Sequence, residues 1–198
     1  MSLSTVARIA LLALLTTVSA CKTEAEKPAP QAVGDTSIGR YCGMMLSEHE
    51  GPRGQIFVAG EKGPVWFCSA RDAIAFTLLP EEPKDIAAIY VTDMGAAPSW
   101  ADPGDTNWTD AKTASFVIGS DAVGGMGGAE AVPFADRTKA EAFAQARGGQ
   151  VVAFDTIPAD YILNAYEQAT QGDATEPGQQ PGMSDMEGGQ PASDADAR

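Results

Sequence analysis

Short apolar runs alternate with polar, glycine- or proline-containing breaks through the middle of the chain. Six of these runs are rich in β-branched and aromatic residues, a composition that favours strands. They cover residues 55–58, 65–67, 86–91, 115–118, 130–134 and 150–154. Two alanine-containing segments lie among them and are predicted as helices, with Ser69 and Asp136 as their N-caps. The pattern therefore predicts six strands and two helices.

The predicted elements repeat in the same order along the chain. Phe67 and Phe76 are nine positions apart, as are Phe134 and Phe143, and the two pairs are offset by 67 positions. In each half, two strands precede a helix and one strand follows it. The sequence thus predicts an α+β protein of two similar β-β-α-β halves, residues 40–94 and 113–168, joined by a linker at 95–112.

Both ends of the chain differ in composition from this middle part. Residues 1–20 have the features of a signal peptide and end in Val-Ser-Ala before Cys21, which resembles a bacterial lipoprotein signal. That pattern implies cleavage before Cys21, lipidation of its sulfur and a periplasmic, membrane-anchored protein; an ordinary secretory signal with a free Cys21 is the alternative. Lys22, in place of aspartate, favours the outer membrane. We interpret residues 21–39 as a flexible tether and 169–198 as a disordered tail.

The charge of the chain limits its partners. With 27 acidic against 13 basic residues, the formal net charge is −14. Such a protein repels nucleic acid and anionic membrane surfaces, and it attracts cations and basic protein surfaces. We therefore exclude nucleic-acid binding and expect membrane contact through the lipid anchor only.

Soft metal-ligating side chains are concentrated in residues 42–49. This segment contains Cys42, Met44, Met45 and His49, the only histidine in the chain. Thiolate and thioether donors prefer soft ions such as Cu(I), whereas Mg²⁺ and Ca²⁺ prefer oxygen. A tight turn at Gly43 would bring the Cys42 thiol, the Met44 thioether and a His49 ring nitrogen around one ion. The segment predicts a Cu(I) site, although methionines also commonly fill gaps in a core.

The third cysteine leaves two alternatives open. Cys68 lies at the end of a predicted strand, where it is either an inert core residue or the partner of Cys42 in a disulfide. A bridged pair would make the protein a structural lipoprotein. An unpaired, reactive Cys42 would also suit a thiol-dependent enzyme, but the chain has no Cys-x-x-Cys motif and few catalytic bases near Cys42.

A glycine-rich stretch in the second half carries another methionine. Two glycines flank Met126 on each side, which predicts a mobile loop with an accessible thioether. It lacks the lysine and the following helix of a phosphate-binding loop. A flexible hairpin and a role for Met126 in binding a soft metal both remain open.

Taken together, several motifs resemble the NosL family. They are Cys42-Gly43-Met44-Met45 with His49, Gln55-Ile56, Trp66-Phe67, Ser69-Ala70-Arg71-Asp72, Gly124-Gly125-Met126-Gly127 and Glu130-Ala131-Val132-Pro133-Phe134. They keep their order along nearly all of the predicted folded part. Cys68 and the acidic tail depart from the family pattern.

The resemblance implies a function and a set of ligands. NosL proteins are copper-binding accessory lipoproteins of nitrous oxide reductase assembly, so the implied role is a metallochaperone and not an enzyme. It would bind one Cu(I) and pass it by ligand exchange through an ABC-type transporter complex towards the reductase. Cys42, Met44 and His49 would be the ligands, with Met126 as an additional contributor when copper is handed on. The implied fold has two halves like those of organomercurial lyase and treble-clef proteins.

Overall fold

The computed structural model describes residues 27–164, which contain seven strands and three α-helices. The elements, in chain order, are β1 (Gly54–Val58), β2 (Val65–Phe67), α1 (Ala70–Leu78), β3 (Ile86–Thr92), β4 (Trp108–Asp110), β5 (Ser115–Ile118), β6 (Val132–Phe134), α2 (Arg137–Arg147), β7 (Gln150–Ala153) and α3 (Ala159–Leu163). Within these residues, no helix has the length and hydrophobicity that crossing a membrane requires.

The strands form two antiparallel sheets. The first has the order β2-β1-β3-β4, with Ile56 opposite both Val65 and Ile89, and the second has the order β6-β5-β7. The predicted α+β class is confirmed, since the structure combines antiparallel sheets with a few helices. The similarity of the two halves to each other and to treble-clef proteins stays a prediction.

Both predicted N-caps are confirmed, and they fix where the two longer helices begin. Ser69 Oγ accepts a hydrogen bond from the backbone N–H of Asp72, and Asp136 Oδ1 accepts one from that of Thr138. Each cap satisfies an N–H that the first helical turn leaves without a partner. Helix α1 therefore starts two residues after Cys68, which places its first turn beside that thiol.

The main core draws residues from both sheets. It includes Ile56, Phe67 and Phe76 from the first half and Phe116 and Ile118 from the second. The aromatic pairs that mark the repeat are in contact, with ring centroids 5.4 Å apart for Phe67 and Phe76 and 5.3 Å apart for Phe134 and Phe143. Such pairs contribute about 0.5–1.5 kcal/mol beyond their buried area. The first sheet and α1 are thus held against the second sheet by shared apolar packing.

Two stretches expected to be irregular contribute to the fold. Gln31 and the buried Gln55 side chain exchange two hydrogen bonds of 2.9 Å, and Tyr90 OH donates to the Pro28 carbonyl at 2.7 Å. The second part of the predicted tether, from residue 27, therefore lies against the first sheet. The predicted linker supplies β4, which pairs with β3.

Three other predicted segments lie outside the described residues. They are the signal peptide 1–20, Cys21 with the start of the tether, and the tail 169–198.

Candidate metal centre

Cys42, the first of two cysteines at the candidate centre, lies on a tight turn. The N–H of Gly39 donates to the Met44 carbonyl and the N–H of Gly43 donates to the Gly39 carbonyl, both at 2.9 Å. Gly43 has a φ of 68°, in the left-handed region that glycine adopts without strain. The turn leaves Cys42 half-buried at the surface.

The last residue before the α1 cap supplies a second thiol. Cys68 follows β2 and is 1% exposed. The turn is bound to that strand because the N–H of Arg40 donates to the Trp66 carbonyl at 2.7 Å. As a result the sulfurs of Cys42 and Cys68 are 2.6 Å apart, and both thiols are free. A side chain predicted as an inert core residue or a disulfide partner is therefore a candidate ligand.

Gly39 is the residue that leaves room for the two sulfurs. A Cβ at this position would overlap both Cys42 Sγ and Cys68 Sγ. Even alanine would force the sulfurs or the turn to move. The glycine is required here by a close approach, and not by its backbone angles.

His49 completes the group. It follows the short 3₁₀ turn Leu46–Glu48, is 8% exposed, and has its carbonyl hydrogen-bonded by the Arg53 guanidinium at 3.3 Å. Its Nδ1 lies 3.2 Å from the Gly125 carbonyl oxygen, whereas its Nε2 is buried with no hydrogen-bond partner among residues 27–164. A carbonyl can only accept, so we assign the proton of the neutral ring to Nδ1. Nε2 then keeps its lone pair, as in a metal-ligating histidine.

The three side chains are close enough to bind one ion. Ligand atoms of Cys42, Cys68 and His49 lie within 4.8 Å of one another. Atoms that surround a single metal at bond lengths of about 2.0–2.3 Å are separated by at most about twice that length. The two sulfurs, 2.6 Å apart, would move away from each other to hold an ion between them. Burial, and then the neighbouring Cys42 thiol, raises the pKa of Cys68, so its thiol holds a proton that a metal ion must displace. Two sulfurs and one imidazole suit copper.

The structure brings together two of the four residues predicted as ligands, Cys42 and His49. Met44 is 40% exposed, and its carbonyl oxygen lies 4.0 Å from each cysteine sulfur. Met126 is partly buried in the glycine-rich loop, directly after the residue whose carbonyl contacts His49. The roles of the Met44 and Met126 thioethers stay predictions.

Glu130 is a buried residue near the site for which the sequence indicated no role beyond the start of a strand and of one family motif. Its carboxylate accepts hydrogen bonds of 2.9 Å from Ser69 Oγ and from the backbone N–H groups of Arg71 and Ala131. Burial raises its pKa to about 7, although these hydrogen bonds lower it. The carboxylate lies next to the residue that follows Cys68.

Comparisons with known proteins agree with this centre. The NosL family model matches residues 30–162. The copper-binding lipoprotein NosL of Achromobacter cycloclastes is 44% identical over 165 residues, covering 82% of this chain and 86% of that protein. The protein of the same name from Stutzerimonas stutzeri is 35% identical over 128 residues, covering 65% of each. The crystal structure of the copper chaperone NosL from Shewanella denitrificans matches with a TM-score of 0.61 at 37% identity, covering 66% of this chain and 96% of that one. The chain belongs to the NosL family.

Proposed function

We propose that this protein is a Cu(I) chaperone of the periplasm, anchored to the membrane through a lipid on Cys21. It binds one Cu(I) and passes it, through an ABC-type transport and assembly complex, to the maturing nitrous oxide reductase. The names of its relatives, copper-binding lipoprotein and copper chaperone, support a copper carrier and not an enzyme.

The observation that carries this proposal is the pair of facing thiols beside an unpartnered imidazole nitrogen. Cys42 Sγ and Cys68 Sγ are 2.6 Å apart, and the buried His49 Nε2 has no hydrogen-bond partner within the part of the chain that the structure describes. A buried polar atom normally has a partner, so a metal ion is the natural occupant of this position. Thiolates favour Cu(I) among the copper oxidation states because it is the softer ion.

The exposure of the site supports release by ligand exchange. Cys42 is half-buried and Met44 is exposed, so a donor from a partner protein can approach from their side while Cys68 and His49 still hold the ion. Copper would then pass from one protein to the next without being free in solution. Met44 and Met126 are the thioethers that we propose assist at this stage.

A competition experiment tests the ligand set. The reduced full chain in detergent micelles is titrated anaerobically with Cu(I) against a chromophoric Cu(I) chelator, and the stoichiometry is read by native mass spectrometry. We expect one copper per chain. Loss of a ligand should lower Cu(I) affinity by more than the roughly 10–100-fold that is lost when a group hydrogen-bonded to a ligand is removed. Cys42→Ser, Cys68→Ser and His49→Gln should show this loss, whereas Glu48→Gln, an exposed neighbour of His49, should not.

The same samples distinguish the rival functions. A chain isolated two protons lighter that takes up no copper even after reduction would support a structural lipoprotein with a Cys42–Cys68 disulfide. Full copper binding by Cys42→Ser would contradict the proposed site. Delivery is tested in cells that respire nitrous oxide: a chromosomal Cys42→Ser change should yield copper-deficient reductase, and fully loaded reductase would contradict delivery.

A further inference from the structure

The glycine-rich loop, residues 119–130, is a closed structure that packs against the metal centre. The N–H of Gly124 donates to the Gly128 carbonyl at 2.9 Å, and the N–H of Gly127 donates to the Gly124 carbonyl at 2.8 Å. The N–H of Glu130 closes the base of the loop on the Ala122 carbonyl. Of the two alternatives left open for this stretch, the structure shows the hairpin, closed by internal hydrogen bonds.

One residue of this loop touches His49 directly. The Gly125 carbonyl accepts from His49 Nδ1, and a Cβ on Gly125 would lie 2.8 Å from both His49 Cβ and the Glu50 carbonyl. The loop thus approaches the histidine as closely as a backbone without a side chain allows. That approach fixes the proton on Nδ1 and the lone pair on Nε2.

Glu130 holds the base of the loop to the other side of the metal centre. It is 1% exposed, and its carboxylate binds Ser69 and the start of α1, immediately after Cys68. Tyr161 OH donates to the Glu130 carbonyl at 2.8 Å and secures the backbone. One buried side chain therefore connects the residues that carry Cys68 with the loop that orients His49.

We propose that Glu130 is a positioning residue for copper binding, because it holds the glycine-rich loop where the Gly125 carbonyl sets the tautomer and orientation of His49. This rests on the proposed function, since it assigns His49 Nε2 as a copper ligand. An imidazole without the Gly125 contact divides between two tautomers and two ring orientations. In the observed ring orientation, only the Nδ1–H tautomer leaves a lone pair on the buried Nε2. Partners of this kind change metal affinity by about 10–100-fold.

The tautomer can be observed directly because His49 is the only histidine in the chain. The ring ¹⁵N resonances of the copper-free, reduced full chain, carrying Cys21→Ser, report which nitrogen holds the proton. Cu(I) affinity is measured on the same samples by chelator competition. The first readout is independent of copper, and a change in overall stability would not move it.

Two pairs of variants test the two contacts. Gly125→Ala should break the contact with His49. Its control is Gly127→Asn in the same loop: a Cβ added at Gly127 meets no described atom within 4 Å, and asparagine tolerates the φ of 78° there. Glu130→Ala should release the loop. Glu130→Gln should restore most of what Glu130→Ala loses, because its amide oxygen still accepts and its NH₂ can donate to Ser69.

We expect averaged tautomers and about tenfold weaker Cu(I) binding in Gly125→Ala and Glu130→Ala, but not in Gly127→Asn. An Nδ1–H tautomer unchanged in Glu130→Ala would overturn the proposal, as would unchanged affinity. If Glu130→Ala does not fold, the test is the comparison of Gly125→Ala with Gly127→Asn. Equal His49 ring ¹⁵N spectra for these two variants would overturn the proposal. A parent chain that shows the Nδ1–H tautomer but binds no Cu(I) refutes the proposed function, whereas one that binds Cu(I) with averaged tautomers refutes only the positioning role.

Discussion

The metal centre has an exposed side and a buried side, and the two are held very differently. On the exposed side, Cys42 is half-buried on a turn and Met44 is 40% exposed. On the buried side, Cys68 is 1% and His49 is 8% exposed, and the second half of the chain contacts His49 and Ser69, the residue after Cys68.

This difference separates two requirements of a copper carrier. Side chains that are packed and hydrogen-bonded give a fixed geometry and therefore affinity. Side chains near solvent can move aside for an incoming ligand and so allow transfer. In the proposed carrier, the buried side of this centre would provide the first property and the exposed side the second.

Among substitutions that leave the proposed ligands in place, the largest effect is expected where the two sides meet, at Gly39. Gly39→Ala places a Cβ against both sulfurs, so we expect Cu(I) affinity to fall by about a hundredfold, at the upper end for groups around a metal. Gly34→Ala is the matched control, since a Cβ there meets no atom within 4 Å. Chelator competition measures both variants. An affinity in Gly39→Ala equal to that of Gly34→Ala would show that the sulfurs do not share one ion.

Stability should depend on pH through Glu130, a residue of the buried side. Burial raises its pKa from 4.5 to about 7. Between these values the folded protein holds a proton that the unfolded chain has lost, so the contribution of Glu130 to stability falls as pH rises through this range and is constant above it. Relative to Glu130→Gln, which has no such titration, the parent should lose about 2 kcal/mol of unfolding free energy between about pH 5 and pH 8.

Urea unfolding of the reduced, copper-free parent and of Glu130→Gln at several pH values measures this difference. Parallel curves for the two proteins would mean that the Glu130 carboxylate is ionised at the same pH in the folded and unfolded states. Burial also raises the pKa of Asp72, another buried carboxylate near the site. Because both proteins contain Asp72, its effect on stability cancels in the comparison.

The two cysteines should differ in reactivity. In the copper-free Cys21→Ser chain we expect a maleimide to modify Cys42 about tenfold faster than Cys68, because reaction requires an accessible thiolate. Exposure favours Cys42, and burial both shields Cys68 and raises the pKa of its thiol. Peptide mass spectrometry of samples quenched at early times measures both rates. Equal rates would remove the distinction between an exposed and a buried side.

The smallest effect is expected at Met44. A thioether is a weak neutral donor, so Met44→Leu should lower Cu(I) affinity only about three- to tenfold. Met45→Leu is a closely matched control, since the two neighbours are 40% and 38% exposed. Chelator competition again gives the affinities. Equal values for the two variants would exclude Met44 as a ligand.

Much of the fold could be predicted from the sequence because local signals carry it. The strands at 65–67 and 115–118 were predicted at their observed bounds, and Ser69 and Asp136 cap the helices as expected. Alternating apolar residues and short polar caps act within a few positions, so they are visible without knowledge of the tertiary structure. The strand β4 was missed because Trp108–Asp110 is short and flanked by proline, glycine and polar residues.

The site was predicted less completely because half of it is assembled by tertiary contacts. Cys42 and His49 are seven positions apart, and their proximity is visible in the sequence. Cys68 joins them only through the pairing of residues 39 and 40 with Trp66, which no local pattern predicts. From the sequence, Cys68 was predicted only as an inert core residue or as the partner of Cys42 in a disulfide. Glu130 was missed because nothing local distinguishes a buried carboxylate from a solvated one.

The hydrogen bonds that fasten residues 28 and 31 to the first sheet also limit how far a lipid anchor at Cys21 could hold the domain from a bilayer. In the proposed lipoprotein, six chain positions would separate the anchor from Lys27. A fully stretched chain of that length spans about 20 Å. The start of the folded domain would therefore stay within about that distance of the lipid headgroups.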